Sequence, residues 1–195
     1  MSVSLLEHER QAWAAGARRL AGVDEAGRGP LAGPVVAAAV VVERDRLEAE
    51  AEGLFKGLTD SKKLSRARRE HFFGVLQSAP FVHMGVGCAD VGEIDSLNIL
   101  NATHLAMARA LQALDPPPDH ALVDGLAVKG LPCSSTPIVR GDALSLSISA
   151  ASVIAKVARD RIMLELDRQY PQYGFARHMG YGTAEHMEAL RRHGP

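Results

Sequence analysis

Apolar and polar positions change their period several times along the chain, and each change predicts a boundary between a strand and a helix. Residues 20–23 and 35–42 are almost continuously apolar, with valines in the second run, which is typical of buried strands. Residues 81–89 predict a third strand, and short apolar runs at 121–123 and 137–139 predict two more. A turn rich in glycine and proline separates the first two strands, so we expect them to form a hairpin.

Segments with apolar residues three or four positions apart follow these strands and predict helices. The longest are 94–114, which a run of prolines stops, and 149–170, for which Ser149 or a neighbouring residue is the expected cap. Ser65 is expected to cap the helix after a basic loop, and a last helix is predicted over 184–192. Strands that alternate with helices predict an α/β fold.

Composition narrows the picture mainly by exclusion. The 195 residues are 47% apolar and 23% charged, and no proline-rich or serine-rich linker divides them, so one domain over 1–195 is expected. Within it we expect an N-terminal helical extension over about 1–18 and a C-terminal helical element over about 171–195. No apolar run is long enough for a signal peptide or a membrane span, which predicts a soluble cytoplasmic protein. The two cysteines are isolated and indicate neither a disulfide framework nor a thiolate zinc site.

The turn of the predicted hairpin carries the most informative residues. Asp24 and Glu25 stand where the first strand ends, and Gly27-Arg28-Gly29 follows at once. Glycine lets a ligand or another backbone come close, and a strand end with two carboxylates suits a metal ion. Spacing alone supports a second interpretation equally well, in which both acids are solvated and Arg28 is their surface partner.

Acidic residues beside glycine recur at the ends of later strands, at Asp124 and Asp142. Ligands collect at strand ends in α/β sheets, so these acids and the first pair could converge. Each pair of like charges about 4 Å apart costs on the order of 4 kcal/mol near a protein surface, so a converged cluster needs cations. Ligands that are oxygen atoms only select hard ions such as Mg2+ or Mn2+. A single Asp beside glycine is also a common turn residue, and spacing leaves both interpretations open.

The net charge of −1 argues against a uniformly basic nucleic-acid binder, but basic residues are concentrated within 62–69. The preceding loop, Asp60-Ser61-Lys62-Lys63, combines a hydroxyl, backbone amides and ammonium groups. This set of donors suits a phosphodiester, which predicts a phosphate-contacting loop. The arginines that follow also fit an ordinary solvated helix face.

Six motifs, taken in order along the chain, resemble those of bacterial ribonuclease HII. The resemblance extends from about residue 20 to about residue 190. The motifs lie at 22–36, 60–65, 94–100, 123–125, 141–142 and 148–160.

This resemblance implies a ribonuclease H-like fold, with a mixed central sheet flanked by helices. It implies a metal-dependent endoribonuclease that hydrolyses the RNA strand of RNA–DNA hybrids and cuts 5′ to single ribonucleotides in duplex DNA, leaving 3′-hydroxyl and 5′-phosphate ends. Its roles would be ribonucleotide excision and RNA primer removal, with no membrane partner, and a monomer is expected. By motif position, the catalytic and metal-binding acids are Asp24, Glu25, Asp124 and Asp142, which would hold two divalent ions, Mn2+ or Mg2+.

The resemblance also implies contacts with the substrate. Gly27-Arg28-Gly29 matches the loop whose backbone reads the ribose 2′-hydroxyl, the group that distinguishes RNA from DNA. Tyr181 matches the tyrosine that contacts the ribose and senses the RNA-to-DNA junction. For a further set, contact with phosphate and a purely structural role stay open as alternatives: Ser61, Lys62, Lys63, Asn98, Ser149, Lys156 and Arg159.

The chain departs from the family pattern in two places. Met179 stands where relatives commonly have a lysine. Relatives usually continue with a basic segment beyond the position of Pro195, and two alternatives stay open: the sequence is truncated there, or the protein lacks that segment. Two alternatives stand beside the main interpretation. Ribonuclease HIII shares the acid motifs but normally adds an N-terminal substrate-binding domain, for which the residues before the first motif are too few. A catalytically silent RNA–DNA duplex-binding protein would not need all four acids.

Overall fold

In the computed structural model, which describes residues 5–195, five strands form one mixed sheet. The strands are β1 (Leu20–Ala26), β2 (Val35–Val42), β3 (Val82–Ala89), β4 (His120–Asp124) and β5 (Ser134–Ile138). Their order across the sheet is β3-β2-β1-β4-β5. β1 and β2 form the predicted antiparallel hairpin, β3 pairs antiparallel with β2, and β4 runs parallel to both β1 and β5. The predicted α/β fold with a mixed sheet is confirmed.

Helices surround this sheet: α1 (Glu7–Ala14), α2 (Arg44–Glu50), α3 (Arg66–Ser78), α4 (Val91–Leu97), α5 (Ile99–Gln112), α6 (Leu146–Gln169), α7 (Phe175–His178) and α8 (Ala184–His193). Short 3-10 turns occupy Ser61–Lys63, Gly141–Ala143 and Pro171–Tyr173. The N-terminal helix expected within 1–18 is α1, and residues 1–4 of that range lie outside the described part of the chain. No helix in residues 5–195 is long and apolar enough to cross a membrane.

Two helix predictions need correction. The helix predicted over 94–114 is two helices that meet at Asn98, whose φ of 69° breaks the helical path and whose side chain accepts a hydrogen bond from Asn101 N at 3.1 Å. The long helix is capped by Ser145, four residues before the predicted Ser149, because the Ser145 hydroxyl accepts a hydrogen bond from Ile148 N at 3.2 Å. The predicted Ser65 cap of α3 is confirmed by a 3.3 Å hydrogen bond from Arg68 N.

The centre of the sheet is buried on both faces, which explains the continuous apolar pattern of β2. Ala38 and Val40 pack into a core shared with α6 and α3, whereas Ala37 and Ala39 pack into a second core against α5. All eight residues of β2 are buried. Burial of each valine stabilises the fold by about 1.5–3 kcal/mol relative to exposure, so β2 anchors the centre of the domain.

The N-terminal end of α6 is fixed against β1 and α1, and this placement positions the acids. A Cβ atom added at Gly22 would lie 2.1 Å from the carbonyl carbon of Ser147, so only glycine allows the helix this close to the strand. From α1, the buried Glu9 carboxylate accepts hydrogen bonds from Ser145 Oγ at 2.6 Å and from Ser147 N at 2.9 Å. A carboxylate at a helix N-terminus also interacts favourably with the helix dipole.

Candidate active site

Neighbouring strand ends bring the predicted acids together. Val23 and Val123 are partners in the parallel pairing of β1 with β4, so Asp24 and Asp124 stand at the same end of the sheet. The Asp124 carboxylate accepts a hydrogen bond from Asp142 N, at 3.3 Å, in the 3-10 turn that follows β5. Acids that are far apart in the sequence therefore meet at one edge.

Burial and repulsion from neighbouring carboxylates raise the pKa values of Asp24, Glu25 and Asp142. Asp24 is 4% exposed, and burial, followed by the charges of Glu25 and Asp124, raises its pKa well above the ordinary value. Burial also raises the pKa of Glu25, although the Arg28 guanidinium, 3.2 Å from the carboxylate, partly opposes the shift. Burial and then the charge of Asp124 raise the pKa of Asp142. A cluster that resists ionisation in this way is stabilised by cations.

The basic loop adjoins this cluster. The Lys62 ammonium lies 3.8 Å from Asp142 Oδ2, and burial, which lowers the pKa of Lys62, is outweighed by the charges of Asp24 and Asp142, which raise it. Lys62 and Lys63 line a cavity of about 720 Å³ together with Asp124 and Asp142. The loop predicted to contact phosphate therefore opens onto the same cavity as the acids.

Two residues that the sequence did not single out as neighbours of the acids also belong here. Asp60 lines the same cavity, accepts a hydrogen bond from Lys62 N at 2.9 Å, and contributes to the raised pKa of Asp142. Ser152, on α6, shares a 2.9 Å hydrogen bond with the buried Ser61 hydroxyl, and its interaction with Asp24 lowers the pKa of that acid. No sequence spacing relates either residue to the acids, because both contacts depend on how α6 and the basic loop pack.

The donor chemistry of the cluster fits hard divalent ions. Asp24, Glu25, Asp124 and Asp142 offer oxygen atoms only, the ligands that Mg2+ and Mn2+ prefer. Within residues 5–195, no three His, Cys, Asp or Glu side chains already have the arrangement of a metal site. The four acids share one region of the protein, and their oxygen donors, together with the raised pKa values of Asp24, Glu25 and Asp142, match hard divalent ions.

The loop Gly27-Arg28-Gly29 lies beside Tyr181. A Cβ atom added at Gly29 would lie 3.6 Å from Tyr181 Cε1, so the ring faces the loop backbone across a narrow gap. Leu31 N donates a hydrogen bond to Gly180 O at 2.9 Å, which joins the two loops. Tyr181 remains 45% exposed. The loop and the tyrosine that the resemblance assigns to the sugar are therefore close to each other, and the loop follows the first two acids in the chain.

Arg159 joins these loops from inside the protein. Its guanidinium is 1% exposed and donates hydrogen bonds, each of 3.0 Å, to the carbonyl oxygens of Pro34, Met179 and Ala32. Gly27, with a φ of 113°, makes room for it, since a Cβ atom there would lie 2.6 Å from Arg159 Nε. Arg159 therefore has an orienting role, in which its guanidinium holds the backbone of the two loops. The structure favours this role over a direct phosphate contact, because the guanidinium is buried and already donates to three carbonyls.

The remaining candidates divide between internal and exposed positions. Ser149 is fully buried and donates to Asp142 O at 2.8 Å, so its hydroxyl positions the backbone of an acid rather than facing a phosphate. Lys156 pairs with Asp160 at 2.6 Å, with only 18% of its side chain exposed. Asn98 is exposed and caps α5. Of the two alternatives for Ser149, the structural role is the one that the hydrogen bonds support.

Comparisons with known proteins identify the relatives of this chain. The family model described as Ribonuclease HII matches residues 21–195. The ribonuclease HII of Geobacillus kaustophilus (strain HTA426) is 56% identical over 97% of this chain and 70% of its own length. The crystal structure of ribonuclease H2 from Pyrococcus horikoshii OT3 superposes with a TM-score of 0.72 at 27% identity, covering 91% of this chain and 89% of that one.

A structure of Bst-RNase HIII in complex with Mn2+ shares the fold, with a TM-score of 0.67 at 19% identity over 93% of this chain and 72% of that one. The family model and the curated relative are both ribonuclease HII, which decides against ribonuclease HIII as the closer family. The chain belongs to the ribonuclease HII family and is an endoribonuclease of the ribonuclease H type.

Proposed function

We propose that this protein is a metal-dependent endoribonuclease that hydrolyses the RNA strand of RNA–DNA hybrids and cuts 5′ to single ribonucleotides in duplex DNA. The products carry 3′-hydroxyl and 5′-phosphate ends, and the cellular roles are ribonucleotide excision and RNA primer removal. The observation that carries the proposal is the meeting of Asp24, Asp124 and Asp142 at one sheet edge, beside a glycine loop that an exposed tyrosine covers.

In this proposal Asp24, Glu25, Asp124 and Asp142 hold two divalent ions, Mg2+ or Mn2+. When bound, such ions activate the attacking water and stabilise the leaving 3′ oxygen of an in-line displacement. Asp24, Glu25 and Asp142 have raised pKa values among neighbouring like charges, and these values support cation binding because the bound charge offsets the repulsion.

The basic loop supplies phosphate contacts in the same proposal. The Lys62 side chain is 75% exposed while its ammonium lies 3.8 Å from Asp142, so it can contact a phosphate next to the acids. Lys63 lines the same cavity. These ammonium groups offset the local negative charge of the cluster for an anionic substrate, which the net charge of −1 does not reveal.

Selectivity for ribose comes from the adjoining loop. Backbone groups of Gly27-Arg28-Gly29 contact the 2′-hydroxyl, and Tyr181 packs against the sugar at the RNA-to-DNA junction. Gly29 supports this role, because without a side chain its backbone stays accessible to a sugar next to Tyr181. The loop directly follows Asp24 and Glu25 in the chain, so recognition of the sugar and placement of the ions depend on one turn.

A cleavage assay tests the proposal. A duplex with one embedded ribonucleotide is expected to be cut on the 5′ side of that nucleotide in Mn2+ or Mg2+ and to remain whole in chelator. End analysis of the products checks for 3′-hydroxyl and 5′-phosphate groups. Cleavage that persists in chelator would contradict the metal-dependent mechanism, and binding without cleavage in any divalent ion would support the silent duplex-binding alternative.

Gly29→Ala should lower kcat/KM on the single-ribonucleotide duplex by about 10–100-fold, because small displacements of a bound group have effects of that size. The fold should tolerate the change, since the added Cβ would make an ordinary 3.6 Å contact with Tyr181 and Gly29 is not among the glycines with positive φ. Gly74→Ala, in α3 with nothing within 4 Å of the added Cβ, is the matched control. A Gly29→Ala variant with the kcat/KM of the parent would exclude close approach of the sugar at this glycine.

A further inference from the structure

We propose that His178 and His186 form a buried positioning pair that fixes the backbone of Tyr181, and through it the substrate preference of the enzyme. The two imidazole rings stack with their centroids 4.6 Å apart and an interplanar angle of 18°. His178 is 7% exposed and His186 is 0% exposed. The inference rests on the proposed contact between Tyr181 and the sugar.

The hydrogen bonds define the proton positions on both rings. Gly180 N donates to His178 Nδ1 at 3.3 Å, so this nitrogen accepts, and His178 Nε2 carries the proton that it donates to Tyr173 O at 2.9 Å. His186 Nδ1 lies 3.0 Å from Tyr181 O, and because a carbonyl can only accept, this nitrogen carries the proton. His186 Nε2 is buried and has no hydrogen-bond partner among the described residues. These hydrogen bonds define one tautomer of His178 and place a proton on Nδ1 of His186.

The carbonyl groups of Met179, Gly180 and Tyr181 each accept a hydrogen bond from a different part of the protein. Met179 O accepts from Arg159 at 3.0 Å, and Gly180 O accepts from Leu31 N at 2.9 Å. Tyr181 O accepts from Thr183 N at 2.8 Å within its own turn and, as its second partner, from His186 Nδ1 at 3.0 Å. These hydrogen bonds fix the backbone of residues 179–181, while Tyr181 remains 45% exposed. An exposed ring on a fixed backbone can meet a ligand at little further cost in conformational entropy.

The choice of histidine at position 186 is not explained by packing. Phe175 contacts both rings edge to face, with centroids 6.0 Å from His178 and 5.6 Å from His186, so the surroundings would accept an aromatic hydrocarbon. A buried nitrogen without a partner costs about 1–3 kcal/mol. What histidine provides here, and phenylalanine does not, is the Nδ1 hydrogen bond to the carbonyl of Tyr181.

Two substitutions separate the hydrogen bond from the stack. His186→Phe keeps an aromatic ring against His178 but removes the donor, whereas His186→Asn places an amide nitrogen near the position of Nδ1 and gives up the stack. The readout is the ratio of kcat/KM on a single-ribonucleotide duplex to kcat/KM on a continuous RNA–DNA hybrid, with Tm measured in parallel. We expect His186→Phe to lower this ratio about tenfold, the effect of one lost buried hydrogen bond, and His186→Asn to preserve it even if Tm falls.

His193→Phe is the matched control, because His193 is an exposed histidine in the same C-terminal element and meets Tyr173 edge to face. It should leave the ratio unchanged. A structural role alone would make the ratio follow Tm, or lower both activities equally, and either result would overturn the positioning role. Nitrogen NMR adds a check that does not depend on activity, since a His186 that carries its proton on Nε2 at neutral pH would also overturn it.

Tyr181→Ala, measured beside these variants, distinguishes the failure of this inference from failure of the proposed function. If Tyr181→Ala lowers the ratio and His186→Phe does not, the positioning role is wrong and the sugar contact stands. If Tyr181→Ala leaves the ratio unchanged, the sugar contact itself is wrong, and the role of the histidine pair is overturned with it.

Discussion

Asp124→Asn should reduce cleavage of a ribonucleotide-containing duplex by at least about 10³-fold, which corresponds to about 4 kcal/mol of activation free energy. The proposed reason is loss of a metal-binding carboxylate at the centre of the cluster. Asp124 is placed to have this effect because its charge contributes to the raised pKa values of Asp24, Glu25 and Asp142. The amide oxygen of asparagine can still accept the hydrogen bond from Asp142 N, so the backbone should not move.

The same variant should be as stable as the parent, or more stable, in chelator at neutral pH. A carboxyl group whose pKa is higher in the folded than in the unfolded state lowers stability when it is ionised, and this cost disappears as the pH falls below the unfolded pKa. Removal of the Asp124 charge relieves part of that cost in three neighbours, and we expect the free energy of unfolding to rise by up to about 1 kcal/mol.

Urea unfolding and cleavage rates at saturating metal measure the two effects. Asp95→Asn, which removes an exposed acid from α4, is the control and should change neither quantity. Activity retained by Asp124→Asn would remove this residue from the site. A marked loss of stability would contradict the contribution of the Asp124 charge to these raised pKa values.

Arg159→Met should lower the free energy of unfolding by about 3 kcal/mol and abolish most activity on the single-ribonucleotide duplex. The methionine fills much of the buried volume but leaves the carbonyls of Pro34, Met179 and Ala32 without their donor, and each unpaired buried group costs about 1–3 kcal/mol. The stability and activity of Arg159→Lys should fall between those of the parent and those of Arg159→Met, because one ammonium cannot replace a planar guanidinium that bridges separate loops.

Arg168→Met is the control from the same helix, because the Arg168 side chain is 78% exposed and pairs with Glu165 on the surface. Loss of such a pair changes stability by less than about 1 kcal/mol. A direct phosphate contact by Arg159 predicts a different pattern: unchanged stability, together with weaker binding whose deficit depends on salt. That pattern would contradict the orienting role.

Much of the fold follows from local patterns, and the exceptions have physical reasons. β2 could be predicted because an uninterrupted apolar run is stable only when both faces of a strand are covered. Periodicity does not predict the break at Asn98, because apolar residues keep helical spacing from α4 into α5. The asparagine itself is the sequence feature that indicates the break. Several serines lie near the start of α6, and apolar periodicity does not choose among them, so the cap at Ser145 depends on its contact with Glu9.

Within the candidate site, sequence motifs identified the acids but not what surrounds them. The meeting of Asp24 with Asp124 follows from the parallel register of β1 and β4, which no single motif contains. In the sequence Arg159 is one basic residue on an amphipathic helix. Its burial arises because two loops, each bent at glycine, fold around its guanidinium, and only tertiary structure brings them there.

Two duplexes that differ by a single oxygen atom test most directly whether the turn that carries Asp24, Glu25 and the Gly27-Arg28-Gly29 loop combines chemistry with selectivity for ribose. One carries a ribonucleotide at a defined position, and the other carries the matching deoxyribonucleotide, with sequence, label and Mn2+ concentration held equal. We expect cleavage only in the first duplex, at the phosphodiester 5′ to the ribonucleotide, with the second remaining whole. Cleavage of both at equal rates would contradict recognition of the 2′-hydroxyl by the Gly27-Arg28-Gly29 loop.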